Sequence, residues 1–282
     1  MGPIPTRGNK IFIYIYICVE NYRPISILSS LSKVLEKLIN IRLVNFLESA
    51  NLLSTNQFGF RIKRSTSDAV HSLTDYVATG LDVQKKCIAV FLDLAEAFDT
   101  VSIPTLLTKL ECLGIRGLPL ELFKSYLSER SQRVKIGEWI SEPLSITYGI
   151  PQGSILGPTL FIIYINDLCQ LSIVNGNIIT FADDTALIFK ANTWAEVFHH
   201  AQEGVNNVKK WLCDHLLTLN IEKTKYLAFS IHKPLIPSNL QLLVHSCKFP
   251  QKSICSCSPL QRVEVVKYLG VDIDNNLRFK RI

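Results

Sequence analysis

Two adjacent aspartates, Asp183 and Asp184, break a stretch that is otherwise apolar and β-prone. Ile178-Ile179-Thr180-Phe181 precedes them across a single alanine, and Thr185-Ala186-Leu187-Ile188-Phe189 follows. Ionised carboxylates among apolar strands are costly unless they meet cations or a solvated turn. The stretch therefore reads as a hairpin with its acids at the tip. A third carboxylate ends another apolar run, Cys87-Ile88-Ala89-Val90-Phe91-Leu92-Asp93. If the two strands pair, three acidic groups converge on one spot. Hard oxygen ligands on rigid strands suit Mg²⁺, and two such ions suit phosphoryl or nucleotidyl transfer.

The 282 residues are enough for one large domain or two smaller ones, and the 48% hydrophobic content excludes a disordered chain. The net charge of +6 has the right sign for a polyanionic partner without being diagnostic. Eight cysteines are scattered, several in apolar segments, and no secretory pattern surrounds them; free thiols in a reducing, intracellular compartment are expected. His245, Cys247, Cys255 and Cys257 make a poor zinc set, because Cys-x-Cys spacing does not suit the ion. Ile11 to Val19 is a nine-residue apolar run, far below the ~20 residues of a membrane span, so no stable membrane association is expected. No small-residue cleavage site follows it, which argues against a signal peptide.

Periodicity predicts helices from Ser29 to about Ala50, on an apolar stripe of Leu31, Val34, Leu35 and Leu38, and from Thr66 to about Gly80. Further helices are expected over Pro104 to Cys112, Pro119 to Glu129 and Pro158 to Leu171. Another follows the capping pair Thr193 and Glu196. Strands are expected over Cys87 to Asp93, Arg133 to Gly137, Leu144 to Tyr148, Tyr226 to Ile231 and Val263 to Leu269, with residues 233–259 rich in loop. The fold class is α+β, a sheet covered by helices on one face.

The order of the motifs is more specific than the acidic pair. Asn21-Tyr22-Arg23-Pro24 and Gln57-Phe58-Gly59-Phe60-Arg61 come first, then Asp93-Leu94-Ala95-Glu96-Ala97-Phe98-Asp99 and Gly149-Ile150-Pro151-Gln152-Gly153. Phe181-Ala182-Asp183-Asp184, Leu219-Asn220-Ile221-Glu222-Lys223-Thr224-Lys225 and Lys267-Tyr268-Leu269-Gly270 close the series. Together, from about Asn21 to Phe279, they resemble the reverse transcriptase domain of non-LTR (LINE-type) retrotransposons, most like the jockey group. The resemblance implies a right-hand polymerase fold, with an antiparallel palm sheet backed by helices. It also implies an atypical segment at residues 1–20, fingers over 21–84, a palm over 85–270 and the start of a largely missing thumb over 271–282.

The resemblance likewise implies the roles of individual residues. Asp93, the Leu94 carbonyl, Asp183 and Asp184 would hold two Mg²⁺ ions, with Mn²⁺ as the alternative. Phe98 would be a steric gate beneath C2′ of the incoming deoxynucleoside triphosphate. Gln152 and Gly153 would lie near the new base pair, and Arg61 and Arg23 near the triphosphate or template. Lys223 is either the proton donor to leaving pyrophosphate or an ordinary surface lysine. The partners would be an RNA template, a DNA primer and deoxynucleoside triphosphates. On the same resemblance three departures would weigh against full activity: Glu96 where relatives carry Lys, the apolar run in place of a basic linker, and a thumb and endonuclease that are expected to be missing from this stretch. The rival readings are a catalytically inactive remnant that still binds nucleic acid, and a metal-dependent nuclease or cyclase on a related sheet.

Overall fold

The computed structural model describes residues 26, 28–229, 237, 239–244 and 259–277. Its elements run α1 (Ser30–Ser49), α2 (Thr66–Asp82), β1 (Lys86–Leu92), β2 (Leu94–Ala95), α3 (Ile103–Cys112) and α4 (Leu118–Leu127). Four short strands follow: β3 (Arg130–Gln132), β4 (Lys135–Ile136), β5 (Trp139–Ile140) and β6 (Leu144–Ile146). Next come α5 (Gly157–Tyr164), a 3-10 turn over Asn166–Gln170, β7 (Gly176–Phe181), β8 (Asp184–Ala191) and α6 (Trp194–Asp214). The last strands are β9 (Thr218–Leu219), β10 (Lys225–Phe229), β11 (Gln261–Arg262), β12 (Val265–Tyr268) and β13 (Val271–Asp274). Ser29, Ser65, Ser102 and Thr193 cap α1, α2, α3 and α6, each with a side-chain oxygen accepting a first-turn amide.

A five-stranded sheet in the order β11-β10-β1-β8-β7 forms the centre. Its β1, β7, β8 and β10 pair antiparallel, while β11 joins β10 in parallel. Helices were expected on one face only, but both faces are covered. Ile88, Val90, Leu187 and Phe189 meet α6 residues such as Val197 and Ala201. Ala89, Phe91, Ala186 and Ile188 meet Ala69, Val70, Leu73 and Val77 of α2, together with Tyr268 and Ile273. Two-sided burial is why β1 and β8 read as unbroken apolar runs rather than as alternating ones. Glycine at position 80 lets α2 approach, since a Cβ there would stand 2.6 Å from the Cys87 sulfur.

Three expectations change in detail. The helix expected to reach Leu171 is α only to Tyr164 and tightens into the 3-10 turn. The α1 stripe of Leu31, Val34, Leu35 and Leu38 is exposed, while Glu36 on the same helix is buried. The final strand is half of a hairpin: β12 pairs with β13 around Leu269 and Gly270, both at positive φ as a type I′ turn needs. A thumb boundary after Gly270 would cut that hairpin. Residues 1–20, Arg23 and the candidate zinc set lie outside the described residues. Among the described residues Cys87, Cys112, Cys169 and Cys213 are free thiols, and no helix is long and apolar enough to cross a membrane.

Candidate active site

The β7–β8 hairpin closes on a two-residue turn. Phe181 pairs with Asp184, leaving Ala182 and Asp183 as the loop. Ala182 carries φ +57°, the sign that a II′-type turn requires at its first position. The β1–β8 register ends at Leu92 opposite Thr185, so one further step sets Asp93 across from Asp184. Strand alternation puts Asp93 and Asp184 on the face that carries Phe91 and Ala186, with Asp183 in the turn beside them. Tyr268 packs on that face, its ring 5.2 Å from that of Phe91. Burial raises the Tyr268 hydroxyl above its ordinary pKa, and the charge of Asp184 adds to the effect.

The chain turns sharply after Asp93. The Asp93 carbonyl accepts the Asn220 amide at 2.8 Å, and the Asp93 amide donates to Thr224 Oγ1 at 3.3 Å. With Leu94 opposite Leu219, that first bond makes them a non-hydrogen-bonded pair, so the Leu94 carbonyl points away from β9. Carboxylate and carbonyl oxygens at paired strand ends are the donor set of Mg²⁺ or Mn²⁺, so the residue types fit such ions. The register brings the strand end bearing Asp93 to the hairpin end bearing Asp183 and Asp184. Among the described residues no three acidic, His or Cys side chains stand grouped around a single point.

The Gly149–Gly153 loop docks on the turn after Asp93. Gly149 N donates to the Val101 carbonyl, and Ile150 N to the Phe98 carbonyl, each at 2.8 Å. Gln152 Nε2 donates to Asp99 Oδ2 at 2.6 Å, while Gly153 is exposed at φ +96°. A Cβ at Gly149 would meet the Asp99 carbonyl oxygen at 2.8 Å, so the two segments touch backbone to backbone. Burial raises the Asp99 pKa, against the hydrogen bond from Gln152. Half-buried Phe98 stacks on Phe161 with ring centres 4.3 Å apart. Glu96 is exposed at the bend with φ +48°. Lys223 is exposed, on the loop whose Asn220 and Thr224 hold Asp93.

Arg61 is held within the protein. Its guanidinium pairs with Glu48 through Nε at 2.9 Å and Nη2 at 2.5 Å, and its Nη1 donates to the Ser54 carbonyl at 2.6 Å. The side chain is 8% exposed. The planar fork that suits phosphate is spent on a carboxylate, so Arg61 joins the end of α1 to the following loop. Its partner Glu48 is held below the ordinary carboxylate range by that hydrogen bond.

Three residues escaped sequence reasoning. Asp99 orients Gln152. Glu36, 3% exposed, accepts the Ile155 amide at 2.7 Å, the Leu156 amide at 3.4 Å and the Tyr126 hydroxyl at 3.2 Å, steadying the entrance to α5. Thr224 is buried beside Asp93. Asp99 and Thr224 lie inside motifs already singled out. Nothing in the pattern marks Glu36, a charged residue on a helix that reads as amphipathic.

The family described as "Reverse transcriptase (RNA-dependent DNA polymerase)" matches residues 8–273. The probable RNA-directed DNA polymerase from transposon BS of Drosophila melanogaster is 34% identical over 269 residues, 92% of this chain and 28% of that protein. The RNA-directed DNA polymerase from mobile element jockey of the same species is 30% identical, over 93% of this chain and 28% of that protein. The chain thus spans 28% of the length of these relatives. Among solved structures, an apo telomerase from Candida tropicalis superposes with TM-score 0.56 at 11% identity, over 89% of this chain and 45% of that one. The Candida albicans telomerase in complex with a fragment of telomeric RNA gives TM-score 0.56 at 15% identity, over 89% and 39%. At such identities the likeness speaks for the fold alone, that of a right-hand polymerase. By sequence and by fold, this chain belongs to the reverse transcriptase family, in the company of the jockey-like polymerases of non-LTR retrotransposons.

Proposed function

We propose that this chain carries an RNA-directed DNA polymerase domain, which adds deoxynucleotides to a primer 3′-end on an RNA template. The observation that carries the reading is the junction of β1 with the β7–β8 hairpin, where continuous register brings the ends bearing Asp93, Asp183 and Asp184 together. Two Mg²⁺ ions, or Mn²⁺, would be held there by Asp93, Asp183, Asp184 and the Leu94 carbonyl. When bound they supply activation of the primer 3′-hydroxyl and charge neutralisation on the leaving pyrophosphate.

The chain's own groups do the positioning. Phe98 is fixed from below by Phe161, and a ring so fixed acts as a wall against a 2′-hydroxyl. Gln152, oriented by Asp99, and the exposed Gly153 backbone border the nascent base pair. Lys223 reaches from the loop that holds Asp93 and donates a proton to pyrophosphate. Arg23 remains the finger arginine for template or nucleotide. Fingers over 21–84 and a palm from 85 onward that keeps the β12–β13 hairpin whole describe the organisation. The modest positive charge favours both nucleic-acid strands. The test is extension of a labelled DNA primer on an RNA template with Mg²⁺. Template-directed addition that Asp183→Asn removes is expected; no addition by the parent under any divalent ion would support the inactive remnant instead.

A further inference from the structure

The Gln57-Phe58-Gly59 segment has no part in the chemistry above, yet it lies against the catalytic turn. The Phe58 amide donates to the Thr180 carbonyl at 2.8 Å, and the Thr180 amide to the Asn56 carbonyl at 3.0 Å. The segment thereby runs parallel to β7 and covers the free edge of the sheet. Gln57 is fully buried. Its Oε1 accepts the Gly59 amide at 2.7 Å and the Ala182 amide at 3.2 Å, so two N–H donors fix which end of the side-chain amide is oxygen. Its Nε2 has no partner. A residue retained only to fill space would be apolar here, since a leucine or methionine leaves no donor stranded. What Gln57 supplies is an acceptor for a backbone amide in a turn where no strand partner exists. Gly59 has the complementary role. A Cβ at that position would stand 2.3 Å from the Ala182 nitrogen and 2.8 Å from the Phe181 carbonyl carbon, both backbone atoms of the turn that cannot swing away.

We propose that Gln57 and Gly59 are positioning residues for the catalytic turn. Gln57 ties down the Ala182 amide, Gly59 gives the turn its seat, and together they set Asp183 and Asp184 relative to Asp93. The clamp is read from the contacts, and its consequence for catalysis rests on the polymerase reading. Amide hydrogen exchange on the unaltered chain tests the clamp directly. Protection of the Ala182 amide comparable to that of the β7 amides is expected, and exchange at the rate of an open turn would overturn it. Gln57→Met, close in size but without the carbonyl, tests the consequence through Mn²⁺ affinity measured by water-proton relaxation. Supporting partners of metal ligands are typically worth about tenfold or more in affinity, and a loss of that order is expected in a folded variant. Unchanged Mn²⁺ affinity in folded Gln57→Met would overturn the positioning role. Should that variant not fold, the exchange measurement on the parent decides. A parent with no Mn²⁺ site that Asp183→Asn removes, but with a protected Ala182 amide, would sink the polymerase reading and the positioning role with it, leaving only a structural clamp.

Discussion

The molecule contains two kinds of hairpin, and they differ in what fixes them. The β7–β8 hairpin has six registered pairs, neighbours on both flanks and apolar cores on both faces. Between β3 and β6 the chain forms ladders of three and two pairs, with Val134, Trp139, Ile140 and Leu144 exposed. Shifting the first by one residue would turn every apolar side chain of β8 onto the wrong face, while shifting the second would disturb little. Chemistry that needs atoms held to fractions of an ångström belongs on the first kind. The acids sit there, and the short ladders are left to vary.

The largest expected effect comes from Asp183→Asn. On the proposed assignment of Asp183 as a metal ligand, losing that charge removes several kcal/mol of transition-state stabilisation, so primer extension should fall by about 10³-fold or more. Thermal unfolding of the same variant, measured alongside, separates a loss of chemistry from a loss of fold. Extension at the parental rate would detach the chemistry from the rigid hairpin and break the comparison at its centre.

Next in size is Gly59→Ala. The new methyl meets backbone atoms and not a flexible side-chain end, so the cost should reach the top of the overpacking range, about 3 kcal/mol in denaturant unfolding. A glycine outside the core offers the control. Gly137, in the turn between β4 and β5, has open space within 4 Å of where a Cβ would stand, but its φ of +61° means an alanine would be strained there by backbone alone. That penalty should stay near ~1 kcal/mol. Equal losses at the two sites would show that the hairpins are not differently held.

The sequence made the rigid half of this comparison legible and the rest obscure, for physical reasons. Unbroken apolar runs around Asp93 and the Asp183–Asp184 pair point to buried strands with acids at their ends, and the strands form there, while their register emerges only from the pairing. The capping pair Thr193 and Glu196 announced α6. The pairing of Arg61 with Glu48 was not legible, because an arginine beside a glycine-containing motif suits a phosphate and a carboxylate alike, and Glu48 lies 13 residues away on another element. Glu36 was invisible because its burial depends on Tyr126 and the Ile155 amide, which only tertiary packing brings near. The outward stripe on α1 shows the same limit: periodicity reports that a helix has an apolar face, not what that face meets.

Phe98 stands between the two regimes, on a loop yet stacked against the core. Replacing it by valine should relax discrimination against ribonucleotides by on the order of tenfold to a hundredfold, read as the ratio of kcat/KM for deoxy- and ribonucleotides. The stacking on Phe161 adds a stability cost of about 1 kcal/mol that the same variant would show in unfolding. A changed stability with an unchanged ratio would place Phe98 with the core and remove it from the site.

The smallest effect is expected where the comparison predicts slack. Trp139 is 83% exposed and Leu144 69%, on ladders of two and three pairs. Neither side chain gives up buried contacts when shortened, and β5 and β6 contribute nothing to the clusters that hold the central sheet. Trp139→Ser and Leu144→Ser should each stay within about 0.5 kcal/mol of the parent, with an unchanged denaturant slope because no additional surface is exposed on unfolding. Cooperative loss of about 2 kcal/mol or more in either variant would mean that this hairpin is packed in solution. The distinction between a held site and free ladders would then fail from its weaker side.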